Sequence, residues 1–92
     1  MKWFIIVFMF GLHSDGTKDS FVYLEPEFET VEMCSQYVRE QSNAIGQHMQ
    51  MEFGQGRRVE QVFCMQKHML EKFLEEIKDV NNGVKISFLH SH

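Results

Sequence analysis

Two cysteines and one histidine are the residues of this sequence whose types and spacing suit chemistry. Cys64 and His68 are four positions apart, so on one helix face they would place a thiol beside an imidazole, as a nucleophile and its base require. With Cys34 as a third ligand the same set would suit zinc, but neither cysteine lies in the C-x-x-C spacing that structural zinc prefers. The chain also contains no G-x-S-x-G motif, P-loop or H-E-x-x-H motif. We therefore predict no catalytic residue, no metal, no cofactor and no enzymatic activity.

A disulfide is the other chemistry open to the cysteine pair. Cys34 lies one turn into a predicted helix, and Cys64 lies at the end of a predicted strand that returns along that helix, so the two sulfurs can meet. A bond there would close a loop of about thirty residues and stabilise the fold by roughly 3–4 kcal/mol. The alternative is a pair of buried free thiols, and the redox compartment decides between the two.

The elements that position these cysteines predict one α+β domain over residues 1–92, in the order β-β-α-β-α-β. An apolar run at 3–10, a polar turn and a β-branched stretch that Pro26 ends predict an N-terminal hairpin over 2–25. Apolar and polar periodicity predicts the remaining elements: helix 31–52, whose stripe Gln41 and His48 interrupt, strand 58–65, helix 66–80 and strand 84–89. Crossover connections then place two covering helices over a single small mixed sheet.

The opening run has two interpretations. Lys2 followed by a short apolar stretch is typical of a secretion signal, which would leave an exported, disulfide-stapled domain without residues 1–16. No A-x-A site follows, and the next strand fits the run as a hairpin partner. We therefore predict a retained strand. The run of eight apolar residues is too short to span a bilayer as a helix, so no membrane span is expected.

Candidate interaction residues follow from this strand, because it is apolar on both faces and needs cover on both. Either the helices lie on opposite faces, or both lie on one face and a partner covers the other. Self-association as a homodimer is the first expectation and a host protein the second, with acidic residues of one copy docking on arginines of another. The candidates are Trp3, Phe4, Phe8, Phe10, Glu25, Glu27, Glu29, Arg57 and Arg58. A net charge of −4 predicts no attraction for nucleic acid.

The opening residues also resemble a known class of sequences. Met1 to Phe4, followed by one cysteine at a helix position and one at a strand position, resembles short open reading frames in marine bacteriophages of cyanobacteria. The resemblance covers about residues 1–66 and rests chiefly on Met1 to Phe4, Cys34 and Cys64; the helix and strand after Met65 look like an extension. That class is uncharacterised, so no activity or site residue follows from it. The resemblance implies a host cytoplasm with reduced thiols, and a small non-enzymatic interaction module that modulates a host protein.

Overall fold

The structure, a computed structural model, describes residues 2–11, 19–77 and 84–87, with only the backbone of Ile77 and of 84–87. The α+β class is confirmed. The elements are β1 (Trp3–Met9), β2 (Ser20–Phe28), α1 (Val31–Glu40), α2 (Ser42–Phe53), β3 (Val59–Gln66), α3 (Lys67–Ile77) and β4 (Val84–Ser87). The predicted turn of the hairpin, the end of predicted helix 66–80 and the end of predicted strand 84–89 lie outside the described residues.

The element order differs from the prediction because the helix expected over 31–52 is two helices. Gln41 lies between them with φ −107° and ψ 17°, ending α1 and preceding α2. Its N–H donates to Tyr37 O, and its carbonyl accepts from Ile45 N. Ser42 and Asn43 follow directly, and such short polar side chains favour the backbone conformations found at helix ends.

The opening run forms one of the two inner strands of the sheet, whose order is β3-β1-β2-β4. β1 pairs antiparallel with both β2 and β3, while β4 pairs parallel with β2. Ile6, for example, lies opposite Val22 on one side and opposite Phe63 on the other. The predicted antiparallel pairing of the first two strands is therefore confirmed.

The prediction that Pro26 ends the second strand is wrong, since β2 continues to Phe28. The register of β2 with β1 shows how the strand continues past this proline. Ile5 lies opposite Tyr23, but Trp3 lies opposite Phe28, so β2 carries extra residues between the two pairs. Proline has no N–H to donate to the neighbouring strand, and the pairing with β1 resumes only beyond it.

Alternation along β1 divides the core into two clusters, one on each face of the sheet. One cluster joins residues of β1 and β2 to α1 and α2: Ile5, Val7, Met9, Phe21, Cys34, Ile45 and Met49. The other joins the same strands to α3: Phe4, Ile6, Val22 and Leu70. The helices therefore lie on opposite faces, so β1 needs no partner to cover it.

Phe4 is the sequence-based interaction candidate that this arrangement contradicts. Its side chain is only 8% exposed and packs in the cluster with Ile6 and Leu70. The face on which Phe4 lies is covered by α3, which the periodicity of β1 alone does not reveal. Phe4 is a core residue and not part of a surface.

Candidate functional site

The two cysteines join the helical layer to the sheet. Cys34 Sγ of α1 and Cys64 Sγ of β3 are 2.11 Å apart, at disulfide bonding distance, and Cys34 is fully buried. Both sulfurs are used in this bond, so neither is a thiolate nucleophile or a zinc ligand in this structure, and the pairing with His68 drawn from the sequence is not formed. Among the described residues, no group of three or more His, Cys, Asp or Glu side chains is placed to hold a metal ion.

A cleft of about 280 Å³ opens between β2 and the two helices α1 and α2. Strand β2 contributes one wall, the helices contribute the other, and one residue of β1 lies beneath them. The lining residues are Ile5, Tyr23, Glu25, Pro26, Tyr37, Gln41, Ala44, Ile45 and His48. Glu25 is the sequence-predicted interaction residue that this cleft contains; it was expected on a docking surface and not beside two tyrosines.

A chain of three polar side chains crosses from β2 to α2 at this cleft. Tyr23 Oη and His48 Nδ1 are 2.6 Å apart, and His48 Nε2 lies 3.3 Å from Glu52 Oε2. Burial, with smaller contributions from Tyr37 and Glu52, raises the pKa of Tyr23 well above its usual value. The phenol therefore stays protonated at neutral pH, and the imidazole of His48 links it to the carboxylate of Glu52, with the donor and acceptor roles of the two ring nitrogens set by the tautomer.

Aromatic contacts hold the imidazole in place. The ring of Phe21 lies 5.0 Å from that of His48 and 4.8 Å from that of Tyr23, between centroids. Sequence reasoning missed this group, because it treated His48 only as an interruption of an apolar stripe. The i,i+4 spacing of His48 and Glu52 was the available signal, whereas the approach of Tyr23 depends on the fold.

A second depression, which we call the apolar groove, lies beside β3 at the outer edge of the sheet. Its volume is about 350 Å³, and its lining residues are Trp3, Phe8, Phe63, Cys64, Met65, Gln66 and Met69. Phe63 is 40% exposed and Met69 is 49% exposed. The ring of Phe8 packs edge-on against Phe63 at 5.7 Å and against Phe73 at 6.0 Å. Trp3 and Phe8, both predicted from sequence, thus line one surface.

The apolar groove borders an open sheet edge, since β3 is the outermost strand on its side of the described sheet. Lys67 N donates to Lys2 O at 3.0 Å, which fixes the alternation of backbone groups along the strand. The N–H and C=O groups of Phe63 therefore point toward β1, and those of Val62, Cys64 and Gln66 point outward. Glu60 is the single charged residue in this eight-residue strand.

Most of the charged candidates have partners within the chain. Lys2 Nζ lies 2.6 Å from Glu29 Oε2 and 3.3 Å from Glu27 Oε1, and hydrogen bonding to Lys2 lowers the pKa of Glu29. Arg57 lies 2.8 Å from Asp19 Oδ2, and its guanidinium also donates to Phe10 O at 3.2 Å. These contacts compete with the docking of acidic residues onto arginines of a second copy.

Phe10 and Arg58 form a separate exposed pair at the end of β1. The ring of Phe10 is 49% exposed, and the guanidinium of Arg58 lies 5.7 Å from its centroid. The backbone of the two residues is also joined, because Phe10 N donates to Arg58 O at 2.9 Å. The structure thus does not bring the predicted interaction residues together as one surface.

Comparison with known proteins assigns no family to the chain. No protein-family model, curated protein or solved structure matches it. Within the described ranges, every helix falls short of the length and hydropathy needed to cross a bilayer. What the protein does is therefore inferred from the cleft, the apolar groove and the β3 edge.

Proposed function

We propose that this protein is a small non-enzymatic interaction module that associates with a second copy of itself through the outer edge of β3. The observation that carries the proposal is the combination of an open strand edge with the apolar groove beside it, where Phe63 and Met69 are exposed. An uncovered edge strand is a template for pairing with another strand. Exposed apolar side chains next to that edge add a hydrophobic contribution to such pairing.

Antiparallel pairing of two β3 strands about a two-fold axis at Phe63 fits the backbone of this edge. Val62 of one copy then lies opposite Cys64 of the other, and their outward N–H and C=O groups form a hydrogen-bonded pair. The two Phe63 residues form the next, non-hydrogen-bonded pair, in which opposing side chains approach most closely. The charged residue of β3, Glu60, is the extra residue where the register with β1 shifts, and it lies away from the axis, so the pairing places no like charges opposite each other.

The amino-acid composition of the β3 edge favours pairing with a second copy of the chain over binding of a strongly charged partner. Natural edge strands are protected from pairing by lysine, proline or bulges that point away from the neighbour. β3 contains no lysine or proline, and its irregularity of register with β1 lies at the far end, between Phe8 and Met9 of β1. Among the described residues nothing pairs with this edge, so the strand is open to pairing over the segment that contains Phe63.

Retention of the opening run is part of the proposal. β1 pairs with both β2 and β3, so removal of residues 1–16 would separate the strand that carries the interface from the rest of the sheet. The disulfide favours an oxidising compartment, whereas the phage resemblance favours a host cytoplasm. We propose the cytoplasmic setting, with the associated protein acting on a host protein, and the exported form without residues 1–16 is the alternative.

Size-exclusion chromatography with light scattering on the full chain tests association. We expect a mass of twice 10.9 kDa, and the Phe63→Lys variant should elute as a monomer because two ammonium groups would face each other at the axis. Met51→Lys is the matched control, since Met51 is 83% exposed on α2 and lies away from the β3 edge. A native chain that stays monomeric at high concentration would overturn the proposal, as would a dimeric Phe63→Lys variant.

A charge-pairing experiment separates a lost interface from a damaged fold. Phe63→Lys and Phe63→Glu should each be monomeric alone, whereas their mixture should form a heterodimer because opposite charges then face each other. Restored association shows that residue 63 of one copy lies near residue 63 of the other. Failure of the mixture to associate, with both variants folded by circular dichroism, would argue against an axis at Phe63.

A further inference from the structure

The cleft between β2 and the helices α1 and α2 has a chemical character that self-association through β3 does not use. Three unsaturated rings line it, those of Tyr23, Tyr37 and His48. The carboxylate of Glu25 is the charged group of the lining, which contains no lysine or arginine. Aromatic faces and a carboxylate are the groups that attract a cation, and aromatic sites of this kind bind substituted ammonium groups.

The electrostatic surroundings of Tyr23 agree with this character. Burial is the main reason that the phenol resists ionisation, and the neighbouring Tyr37 and Glu52 oppose the negative charge further. Of these causes only the carboxylate of Glu52 also favours a cation, since burial opposes a charge of either sign. Tyr23 keeps its proton at neutral pH, so its phenol contributes a neutral aromatic ring to the cleft.

The polar chain along one wall makes the cleft a formed site. Tyr23 is held by His48 at 2.6 Å, and His48 is held by Glu52 at 3.3 Å and by the ring of Phe21. Two ring walls are thus fixed in position before a ligand arrives, which lowers the entropic cost of binding. A volume of about 280 Å³ is at the low end for ligand pockets and fits a small molecule.

We infer that this cleft binds a small organic cation with a substituted ammonium group, with the tyrosine rings around the methyl groups and Glu25 as the counter-charge. The aliphatic surface of Ile45, Ala44 and Pro26 suits the apolar part of such a ligand. The inference is independent of the β3 edge, because all residues of the cleft belong to one copy of the chain.

Titration of the full chain with choline, followed by NMR and calorimetry, tests the inference. We expect saturable binding below about 10 mM, with the largest chemical-shift changes at His48 and Tyr37. The neutral isostere 3,3-dimethylbutan-1-ol should bind about tenfold more weakly, since it lacks the charge that the rings and Glu25 attract. Equal affinity for choline and this alcohol, or no saturable binding of choline, would overturn the inference.

Variants locate the binding and identify its source. Glu25→Gln should weaken choline binding about fivefold, whereas Glu71→Gln removes the same charge on α3, beyond the sheet, and should leave the affinity unchanged. Unchanged binding in Glu25→Gln would contradict a role for the carboxylate. A short peptide that contains trimethyllysine serves as a second probe: tighter binding than choline assigns the ammonium group to a protein side chain, and weaker binding assigns it to a free small molecule.

Discussion

The two faces of the sheet are built from one strand but present opposite surfaces. On one face, Ile5 and its neighbours meet α1 and α2, and the surface above them is a cleft in which Tyr23 bonds to His48, which is held in turn by Glu52. On the other face, Ile6 meets the single helix α3, and an apolar groove with exposed Phe63 and Met69 lies at the sheet edge next to this helix. The side chains Tyr23 and His48 of the first surface are already hydrogen-bonded and held in position, which suits the binding of a small ligand. The second leaves apolar area exposed, which suits a protein partner.

The disulfide is a further difference between the two faces, because it links α1 to β3 and so stabilises only the face that α1 and α2 cover. Replacing both cysteines with alanine should lower the free energy of unfolding by roughly 3–4 kcal/mol, as expected for a closed loop of about thirty residues. Urea unfolding measures the loss, and hydrogen exchange should show it mainly in α1 and α2. A loss spread equally over α3 would mean that the two faces do not open separately.

Truncation of Leu70 probes the other face. Leu70 is the buried residue that α3 contributes to its cluster, so Leu70→Ala should cost about 2–3 kcal/mol. Lys72→Ala is the control on the same helix, since Lys72 is exposed and its loss should cost well under 1 kcal/mol. Protection from hydrogen exchange should fall in α3 and stay high in α1. An equal loss of hydrogen-exchange protection in α1 and α3 of Leu70→Ala would show that the two faces do not unfold independently.

The smallest effect is expected from the polar chain at the cleft, and it depends on pH. The fold raises the pKa of Tyr23 above its ordinary value of 10.0. Above about pH 10 the unfolded chain therefore releases the phenolic proton first, and the free energy of unfolding falls. Below about pH 10 both states keep the proton, and the contribution of Tyr23 to stability is complete. Tyr23→Phe should lower stability by about 1 kcal/mol at neutral pH, since His48 loses a hydrogen bond.

Urea unfolding of the native chain and of Tyr23→Phe at pH 9 and at pH 11 measures this effect. From pH 9 to pH 11 the free energy of unfolding should fall more for the native chain than for Tyr23→Phe. The stability advantage of the native chain over the variant should therefore be smaller at pH 11. An equal loss in both proteins would show that Tyr23 ionises as easily in the fold as in the unfolded chain.

Local periodicity made the hairpin strands and helix α3 predictable, and it showed that the two cysteines could meet, with a disulfide and a pair of free thiols as the alternatives. The run at 3–10 and the alternation before Pro26 are patterns within one element, and Cys34 and Cys64 could be joined because one crossover connects their elements. The helix break at Gln41 was not predicted, since Gln41 has no strong helix-breaking character and the end of α1 depends on its capping bonds.

What the sequence did not predict depends on contacts between distant elements. Tyr23 and His48 are 25 positions apart, and nothing in either local pattern places a phenol against an imidazole. Phe4 was expected on a surface, because the face that α3 covers is decided by the path of the chain over the sheet. The candidate cleft was therefore missed, whereas Trp3 and Phe8 of the groove were among the residues selected.

The inner position of β1 has a consequence for the order in which the chain leaves the ribosome. Ile5 must pair with Tyr23 and with Cys64, and the second partner is synthesised much later than the first. Until β3 is synthesised, the strongly apolar strand β1 has one unpaired edge that can pair with a strand of another nascent chain. Newly made chains are thus most exposed to aggregation before residue 66 emerges, and holding chaperones would act in that interval.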